Sequence, residues 1–142
     1  MTDRTSSLDL ASTPVVAVRP ELDAMGALYE MYARDVHHLA VVADDGSVGL
    51  VSASDLLQGI AAWYPKTEVT VGSLCAVPGP VVEASDGIDV AARRMIDART
   101  DAVLVMRSGC VCGVLTAVDL VRSIARSSAA PDGRVEREGE GS

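Results

Sequence analysis

The feature that most constrains this chain is an internal repeat with an offset of 64 residues. Residues 49–61 return as residues 113–125, with six of the thirteen positions identical and four exchanged for a similar residue. Each copy predicts a short buried strand that leads through a hydroxyl residue, Ser52 or Thr116, into a helix. An Asp three residues later falls in the first helical turn, where a carboxylate suits the helix dipole. The repeat determines the architecture, because both copies should fold into the same unit.

The residues around the two copies predict the same order of elements in each half: strand, helix, strand, strand and helix. Apolar residues with i, i+3, i+7 spacing predict one buried face on the first helix of each half. These residues are Met25, Leu28 and Tyr32 in the first half and Ile88, Ala91 and Met95 in the second. A unit of about 50 residues buries its apolar surface poorly alone. We therefore expect an α+β fold in which two β-α-β-β-α units pack sheet against sheet around a pseudo-twofold axis.

Breaks in the pattern divide the chain. Pro65 ends the last helix of the first half, and the residues from Ser128 onward are Ala, Pro, Gly and charged types with nothing to bury. Apolar faces on the helices after Pro65 and at the C-terminus favour a homodimer, although the same residues could equally form inner core. The predicted organisation is a flexible lead-in over 1–10, a first unit over 11–64, a linker over 65–69, a second unit over 70–127 and a disordered tail over 128–142.

Composition argues against several classes of function. A net charge of −8 argues against a general nucleic-acid surface, which needs a basic face. Trp63 and three tyrosines are too few for base-stacking platforms. No run approaches 18 apolar residues, so no membrane span is predicted, and the first residues lack the pattern of a signal peptide. We expect a cytoplasmic protein that binds neither nucleic acid nor membrane.

The sequence offers no recognisable catalytic constellation. It has no nucleophile–base pair, no metal-ligand cluster and no Walker loop for phosphate. Three cysteines are an odd count, which excludes a full disulfide framework. Cys110 and Cys112 have the wrong spacing for a redox pair or a zinc knuckle, and we interpret them as free thiols in or beside a strand. We therefore expect neither an enzyme nor a metal site nor an obligatory cofactor.

Both copies of the repeat contain Gly-h-h-Ser/Thr-x-x-Asp, where h is apolar, after an apolar strand and a turn. This arrangement resembles a tandem pair of CBS domains, also called a Bateman module, over about residues 10–127. Residues 36–42 with 50–58 are also similar to a motif in the γ subunit of AMP-activated protein kinase. The resemblance implies a regulatory protein that binds AMP, ADP, ATP or S-adenosylmethionine between its motifs and signals to an unknown protein target. The alternative is a structural dimerisation or adaptor module with vestigial, empty nucleotide sites.

The chemistry of the motif residues agrees with an adenosine ligand. Ribose offers two adjacent hydroxyls, and an ionised Asp can accept hydrogen bonds from both. The Ser or Thr can cap its helix or meet a phosphate, which the free N–H groups of the helix end also favour. Asp55 and Asp119 could instead be helix-capping acids and nothing more. His37 and His38 would lie at the phosphate, or could be one solvated and one partly buried histidine.

In the family that the chain resembles, each nucleotide site joins the Ser/Thr and Asp of one motif to the first strands of the other. The favoured site here would comprise Val16, Val36, His37, His38, Thr116, Asp119 and Arg122. The second site would comprise Ser52, Asp55, Val82, Arg99, Thr100 and Asp101. We expect the second site to be weaker for two reasons. Asp101, aligned with His38, would repel a phosphate, although Arg99 could offset this, and residues 82–88 form a shorter segment than residues 16–25.

Overall fold

The computed structural model describes residues 5–12, 15–65, 68–75 and 78–129. Its helices are α1 (Ser7–Leu10), α2 (Ala24–Arg34), α3 (Ala53–Trp63), α4 (Ile88–Ala98) and α5 (Ala117–Ala129), with a 3-10 turn at Val71–Ser73. Its strands are β1 (Ala17–Val18), β2 (His38–Val42), β3 (Val48–Ser52), β4 (Val81–Glu83), β5 (Ala102–Arg107) and β6 (Cys110–Thr116). None of the helices in the described part of the chain has the length and apolar character needed to cross a membrane.

The two halves contain sheets of the same topology, ordered β1-β2-β3 and β4-β5-β6. In each sheet the first strand is parallel to the second, and the second is antiparallel to the third. The registers of the parallel pairs are equivalent, since Ala17 lies opposite Ala40 in the first sheet and Val81 lies opposite Leu104 in the second. The antiparallel pairs differ by a register shift at Val105 and Met106 in the second sheet. The predicted α+β fold of two repeated β-α-β-β-α units is therefore confirmed.

Three apolar clusters hold the molecule together. One lies between the first sheet and its helices, and a second lies between the second sheet and its helices. The third cluster joins the two sheets, because it combines residues of β2 and β3 with residues of β5 and β6. Its buried members are Ala40, Leu50, Ala102, Leu104 and Val114. The sheets therefore pack against each other, as the size of a single unit led us to expect.

The buried face of α2 differs from the predicted one. Met25 and Tyr32 are 56% and 85% exposed, whereas the buried residues of this helix are Ala24, Ala27 and Met31. The prediction is wrong for Met25 and Tyr32, whereas Leu28 is partly buried and packs against the first core. The buried stripe is displaced by one position from the predicted one. The corrected stripe lies 64 residues before Ile88, Ala91 and Met95. In α4 the prediction is confirmed for the buried Ala91 and Met95, while Ile88 is half-buried.

The same offset corrects two statements about the second half. Residues 18–24 and 82–88 join equivalent strands and helices and have equal length, so the predicted shortening is wrong. The alignment of Asp101 with His38 is also wrong. His38 lies opposite Ser52 and Ala102 lies opposite Thr116, which makes Ala102 the counterpart of His38.

The N-terminal segment is ordered structure where a flexible lead-in was predicted. Ser6 and Asp9 form a capping box that starts α1. The Ser7 amide donates to the carbonyl of Asp86 at 2.7 Å, and Leu8 packs against the second core. The prediction failed over Ser7–Leu10 because this segment is held by contacts distant in sequence.

Residues 68–75 pack against the core of the first unit, as residues 5–12 pack against the core of the second. Val69 and Val71 are buried in the first core, although residue 69 was predicted to be linker. Each unit is thus completed by a segment that precedes the other unit in the chain. Several predicted positions lie outside the described residues: residues 1–4 of the lead-in, residue 14 at the start of β1, residues 66–67 of the linker and residues 130–142 of the tail.

Candidate functional site

Ser52 and Thr116 stand where a strand ends and a helix begins, and both form capping boxes. The Asp55 amide donates to Ser52 Oγ at 3.0 Å, and the Ser52 amide donates to Asp55 Oδ2 at 3.0 Å. Thr116 and Asp119 repeat this pair at 3.1 and 2.9 Å. These bonds satisfy N–H groups that the first turn of a helix leaves unpaired. Capping therefore engages Oδ2 of each Asp, and Oδ1 of each Asp takes no part in it.

The second carboxylate oxygen distinguishes the two motifs. Asp119 Oδ1 accepts a hydrogen bond from Arg122 Nη1 at 3.3 Å, and the Asp119 side chain is 15% exposed. The counterpart of Arg122 is Gln58, which donates to Ser54 Oγ at 3.3 Å. Among the described residues no hydrogen bond reaches Asp55 Oδ1, and Asp55 is exposed. Asp55 Oδ1 can therefore accept a hydrogen bond from a ligand, whereas the equivalent oxygen of Asp119 already accepts one from Arg122.

A cleft of about 1280 Å³ opens between the two units beside Asp55. Ser52, Ser54 and Asp55 of the first unit line it together with residues around the end of α4. It is larger than the roughly 300–1,000 Å³ of typical small-molecule sites. Its apolar lining includes Leu50, Leu74, Pro80, Met95, Ile96 and Leu120. The cleft therefore combines a polar helix start with apolar surface, which suits a ligand that has a polar and an aromatic part.

A polar contact joins the two units at this cleft. His38 Nε2 lies 3.3 Å from Asp101 Oδ1, and both residues line the cleft. The His38 side chain is 13% exposed, whereas the Asp101 side chain is 75% exposed. Because His38 lies directly opposite Ser52 in the first sheet, the Asp101 carboxylate is held near the start of α3. Asp101 thus brings a negative charge of the second unit to the polar end of the cleft.

The structure brings together most of the residues predicted for the second site. Ser52, Asp55, Arg99, Thr100 and Asp101 all line the cleft. Val82 does not, since it is buried in the second core.

The residues predicted for the favoured site are more scattered. His38 lines the cleft described above, and Val16 and Val36 pack against the first core. The remaining four, His37, Thr116, Asp119 and Arg122, do not line the cleft. The side chain of His37 is exposed, and its carbonyl accepts from the Ala53 amide at 3.0 Å.

The cleft-lining residues that were not predicted as site residues include Ser54, Leu74 and Ile96. Ser54 lies inside the repeated motif, where Val118 is its counterpart. This change of polarity was a signal that could have identified Ser54. Leu74 and Ile96 reach the cleft through tertiary packing, which no local pattern indicates.

The cysteines are free, as predicted, and one lies near the cleft. Burial raises the pKa of the Cys75 thiol, a backbone hydrogen bond partly offsets this, and the charge of Asp55 raises it further. Cys110 is exposed and Cys112 is half-buried. Within the described ranges no cluster of three or more His, Cys, Asp or Glu side chains could hold a metal ion.

The family model for the CBS domain matches the chain twice, over residues 7–62 and 71–126. The chain therefore belongs to the CBS-domain family and contains two such domains in tandem. Both ends of the two matches differ by 64 residues, the offset that relates the two units of the structure. A comparison with curated proteins finds no match.

Solved structures of CBS-pair proteins share this fold. The CBS domain pair of protein MJ0100, in complex with 5′-methylthioadenosine and S-adenosyl-L-methionine, is 19% identical, with 88% of this chain and 99% of that chain covered and a TM-score of 0.77. An uncharacterized conserved protein from Pyrococcus horikoshii is 21% identical, with coverages of 87% and 95% and a TM-score of 0.75. A hexameric CBS-CP12 protein from bloom-forming cyanobacteria is 19% identical, with coverages of 92% and 91% and a TM-score of 0.77.

Proposed function

We propose that this CBS pair is a regulatory module that binds one adenosine compound in the cleft beside Asp55. The candidates are AMP, ADP, ATP and S-adenosylmethionine, and the CBS pair of MJ0100 supports this class because it was solved with two adenosine compounds. The observation that carries the proposal is the Asp55 carboxylate, which has an exposed oxygen at the edge of a large, partly apolar cleft. The sequence favours the site of Asp119. We propose the other site because Arg122 already engages the Asp119 carboxylate.

Each part of an adenosine compound has a chemical counterpart in the cleft. The Asp55 carboxylate can accept hydrogen bonds from the two ribose hydroxyls, and charge-assisted bonds of this kind are stronger than neutral ones. The apolar side chains of Leu50, Leu74 and Ile96 offer surface against which an adenine ring can be buried. Ser52 and Ser54 line the cleft at the start of α3. Each hydroxyl accepts a hydrogen bond, from the Asp55 amide or from Gln58, and can still donate one to the 5′ substituent.

A thermal-shift screen of the full chain with AMP, ADP, ATP, S-adenosylmethionine and 5′-methylthioadenosine tests the proposal. A compound present at 100 times its Kd should add about 2.7 kcal/mol to the free energy of unfolding. Asp55→Asn should abolish most of this shift, whereas Asp119→Asn should preserve it. If no compound shifts the wild type, the alternative of a structural module with vestigial sites replaces the proposal.

The proposal includes signalling to a protein target and a homodimeric, cytoplasmic, non-enzymatic protein. Support for self-association comes from large apolar side chains that are more than half exposed on the helices. Those that lie outside the cleft include Met25, Tyr29, Tyr32, Leu57 and Val118. Exposed apolar surface of this kind is typical of interaction sites. Sedimentation equilibrium should give twice the chain mass of 14.7 kDa, and a monomer at all concentrations would contradict a homodimer.

A further inference from the structure

We infer that Asp101 determines which adenosine compounds the cleft accepts, and that it selects those with a neutral or cationic 5′ substituent over those with a 5′ phosphate. The inference rests on the proposed function and narrows its ligand class. The second unit contributes Asp101 to the polar end of the cleft, and the first unit contributes Asp55, the proposed ribose-binding residue.

Asp101 is fixed near the position of a 5′ substituent. Its carboxylate contacts His38 at 3.3 Å, and His38 lies opposite Ser52 on the neighbouring strand. The side chains of such cross-strand pairs lie about 5 Å apart. A ligand whose ribose binds Asp55 has its 5′ carbon near Ser52 and Ser54 at the start of α3. A phosphate there would share the polar end of the cleft with the Asp101 carboxylate.

The negative charge of Asp101 has little local compensation. Among the described residues no ion pair joins Asp101 to an arginine, and its partner His38 is a cation only when protonated. The cleft is also lined by Asp55 and Asp97. A phosphate with two negative charges is repelled by this arrangement, whereas a thioether or a sulfonium is tolerated or attracted.

Two arginines, Arg94 and Arg99, also line the cleft, and they are the groups that could bind a phosphate. Both side chains are exposed on α4 or at its C-cap. Exposed arginines are well hydrated and screened by salt, so their attraction for a phosphate is small. The Asp101 side chain is also exposed, but its contact with His38 places its charge at the polar end of the cleft. We therefore expect Asp101, and not the arginines, to determine the choice of the 5′ group.

Calorimetric titration of the full chain with AMP and 5′-methylthioadenosine tests the inference, because these two ligands differ only at the 5′ group. The wild type should bind 5′-methylthioadenosine about tenfold more tightly than AMP. Asp101→Asn keeps the shape and a hydrogen-bonding group, and should tighten AMP about tenfold while changing 5′-methylthioadenosine by less than about twofold. High salt should narrow the difference in the wild type. Asp101 is mostly exposed, so we expect the variant to fold, and its melting temperature verifies this.

Two further variants complete the design. Asp89 is exposed on α4, the helix that precedes Asp101, and it does not line the cleft. Asp89→Asn removes this charge and should leave the ratio of the two affinities unchanged. Arg99→Gln tests the alternative in which this arginine binds the phosphate, and the weak attraction of an exposed arginine predicts a loss of AMP affinity of less than about threefold. Two results would overturn the inference and leave the proposed function intact. One is that the wild type binds AMP and 5′-methylthioadenosine equally well and Asp101→Asn does not alter either affinity. The other is a loss of AMP binding in Arg99→Gln. If neither ligand binds the wild type, the proposed function fails together with it.

Discussion

The two units of this protein share their strand order and the capping boxes at Ser52 and Thr116, yet the repeated Asp has different surroundings in each. In the second unit Arg122 engages Asp119 and the carboxylate is mostly covered. In the first unit Gln58 occupies the equivalent position, and Asp55 is exposed beside the cleft. The comparison teaches that the repeated residues build the backbone of each unit, while exceptions to the repeat determine which unit leaves its Asp carboxylate exposed.

A second difference lies in the segments that complete the units. Val71 is fully buried in the first core, and its counterpart Ser7 is equally buried in the second unit. The Ser7 hydroxyl has no hydrogen-bond partner among the described residues. A buried hydroxyl without a partner costs stability, whereas a buried Val contributes to it. We therefore expect residues 68–75 to be attached more firmly than residues 5–12.

The largest expected effect comes from making the first unit resemble the second at this position. Val71→Ser removes buried methyl groups and adds an unpaired hydroxyl, so it should lower the free energy of unfolding by about 2–4 kcal/mol. Urea unfolding measures the change. Val71→Ala is the matched control, since it removes the same methyl groups without adding a hydroxyl and should be less harmful. A Ser variant as stable as the Ala variant would show that the hydroxyl finds a partner.

Substitution of Gln58, the counterpart of Arg122, tests the difference between the two Asp residues. Gln58→Arg places an arginine three residues after Asp55, the spacing at which Arg122 engages Asp119. The new arginine should compete for Asp55 Oδ1 and weaken ligand binding about tenfold, the worth of one charge-assisted hydrogen bond. Gln58→Ala, which adds no donor, should change the affinity by less than about twofold. Equal effects of the two variants, measured by calorimetry, would contradict the role given to Arg122.

Much of this structure was predictable because each element of the repeated unit occurs twice in the sequence, so that a pattern found in one copy could be checked in the other. The strands, the hairpins and both capping boxes follow from local patterns. The buried face of α2 was not predicted, because its contact positions are the small Ala24 and Ala27, whereas pattern reading favoured the larger Met25 and Leu28. The attachment of α1 depends on contacts with residues 84–87, which no local signal reports. For Arg122 the spacing to Asp119 was visible, but a partner for phosphate was predicted instead of one for Asp119.

A smaller and opposite effect is expected at Ser7. Ser7→Ala removes the unpaired hydroxyl from a fully buried position, and should raise the free energy of unfolding by about 1 kcal/mol. Thermal unfolding and urea titration should agree on the sign. Ser6→Ala is a useful contrast because Ser6 caps α1, and its loss should destabilise the chain by about 1 kcal/mol. A destabilising Ser7→Ala would mean that the hydroxyl is hydrogen-bonded in solution.

The smallest effect concerns thiol reactivity on the two sides of the comparison. Because burial raises the pKa of Cys75, less of this thiol is ionised at pH 8 than of a thiol with the usual pKa of about 8.5. Iodoacetamide should therefore alkylate the exposed Cys110 several-fold faster, and the rate at Cys75 should continue to rise with pH above that value. Peptide mass spectrometry measures both rates. The difference between the two alkylation rates should vanish in urea. Equal rates in the folded chain would contradict the protection of Cys75 by burial.

The most direct test of the central claim is the calorimetric stoichiometry of 5′-methylthioadenosine binding to the wild type, Asp55→Asn and Asp119→Asn. One ligand per chain should bind the wild type and Asp119→Asn with similar affinity. Asp55→Asn should weaken binding by about 1.5–3 kcal/mol, because it removes a charged acceptor for the ribose hydroxyls. Two ligands per wild-type chain, or a loss of binding in Asp119→Asn with Asp55→Asn unaffected, would contradict the assignment of the functional cleft to the first motif.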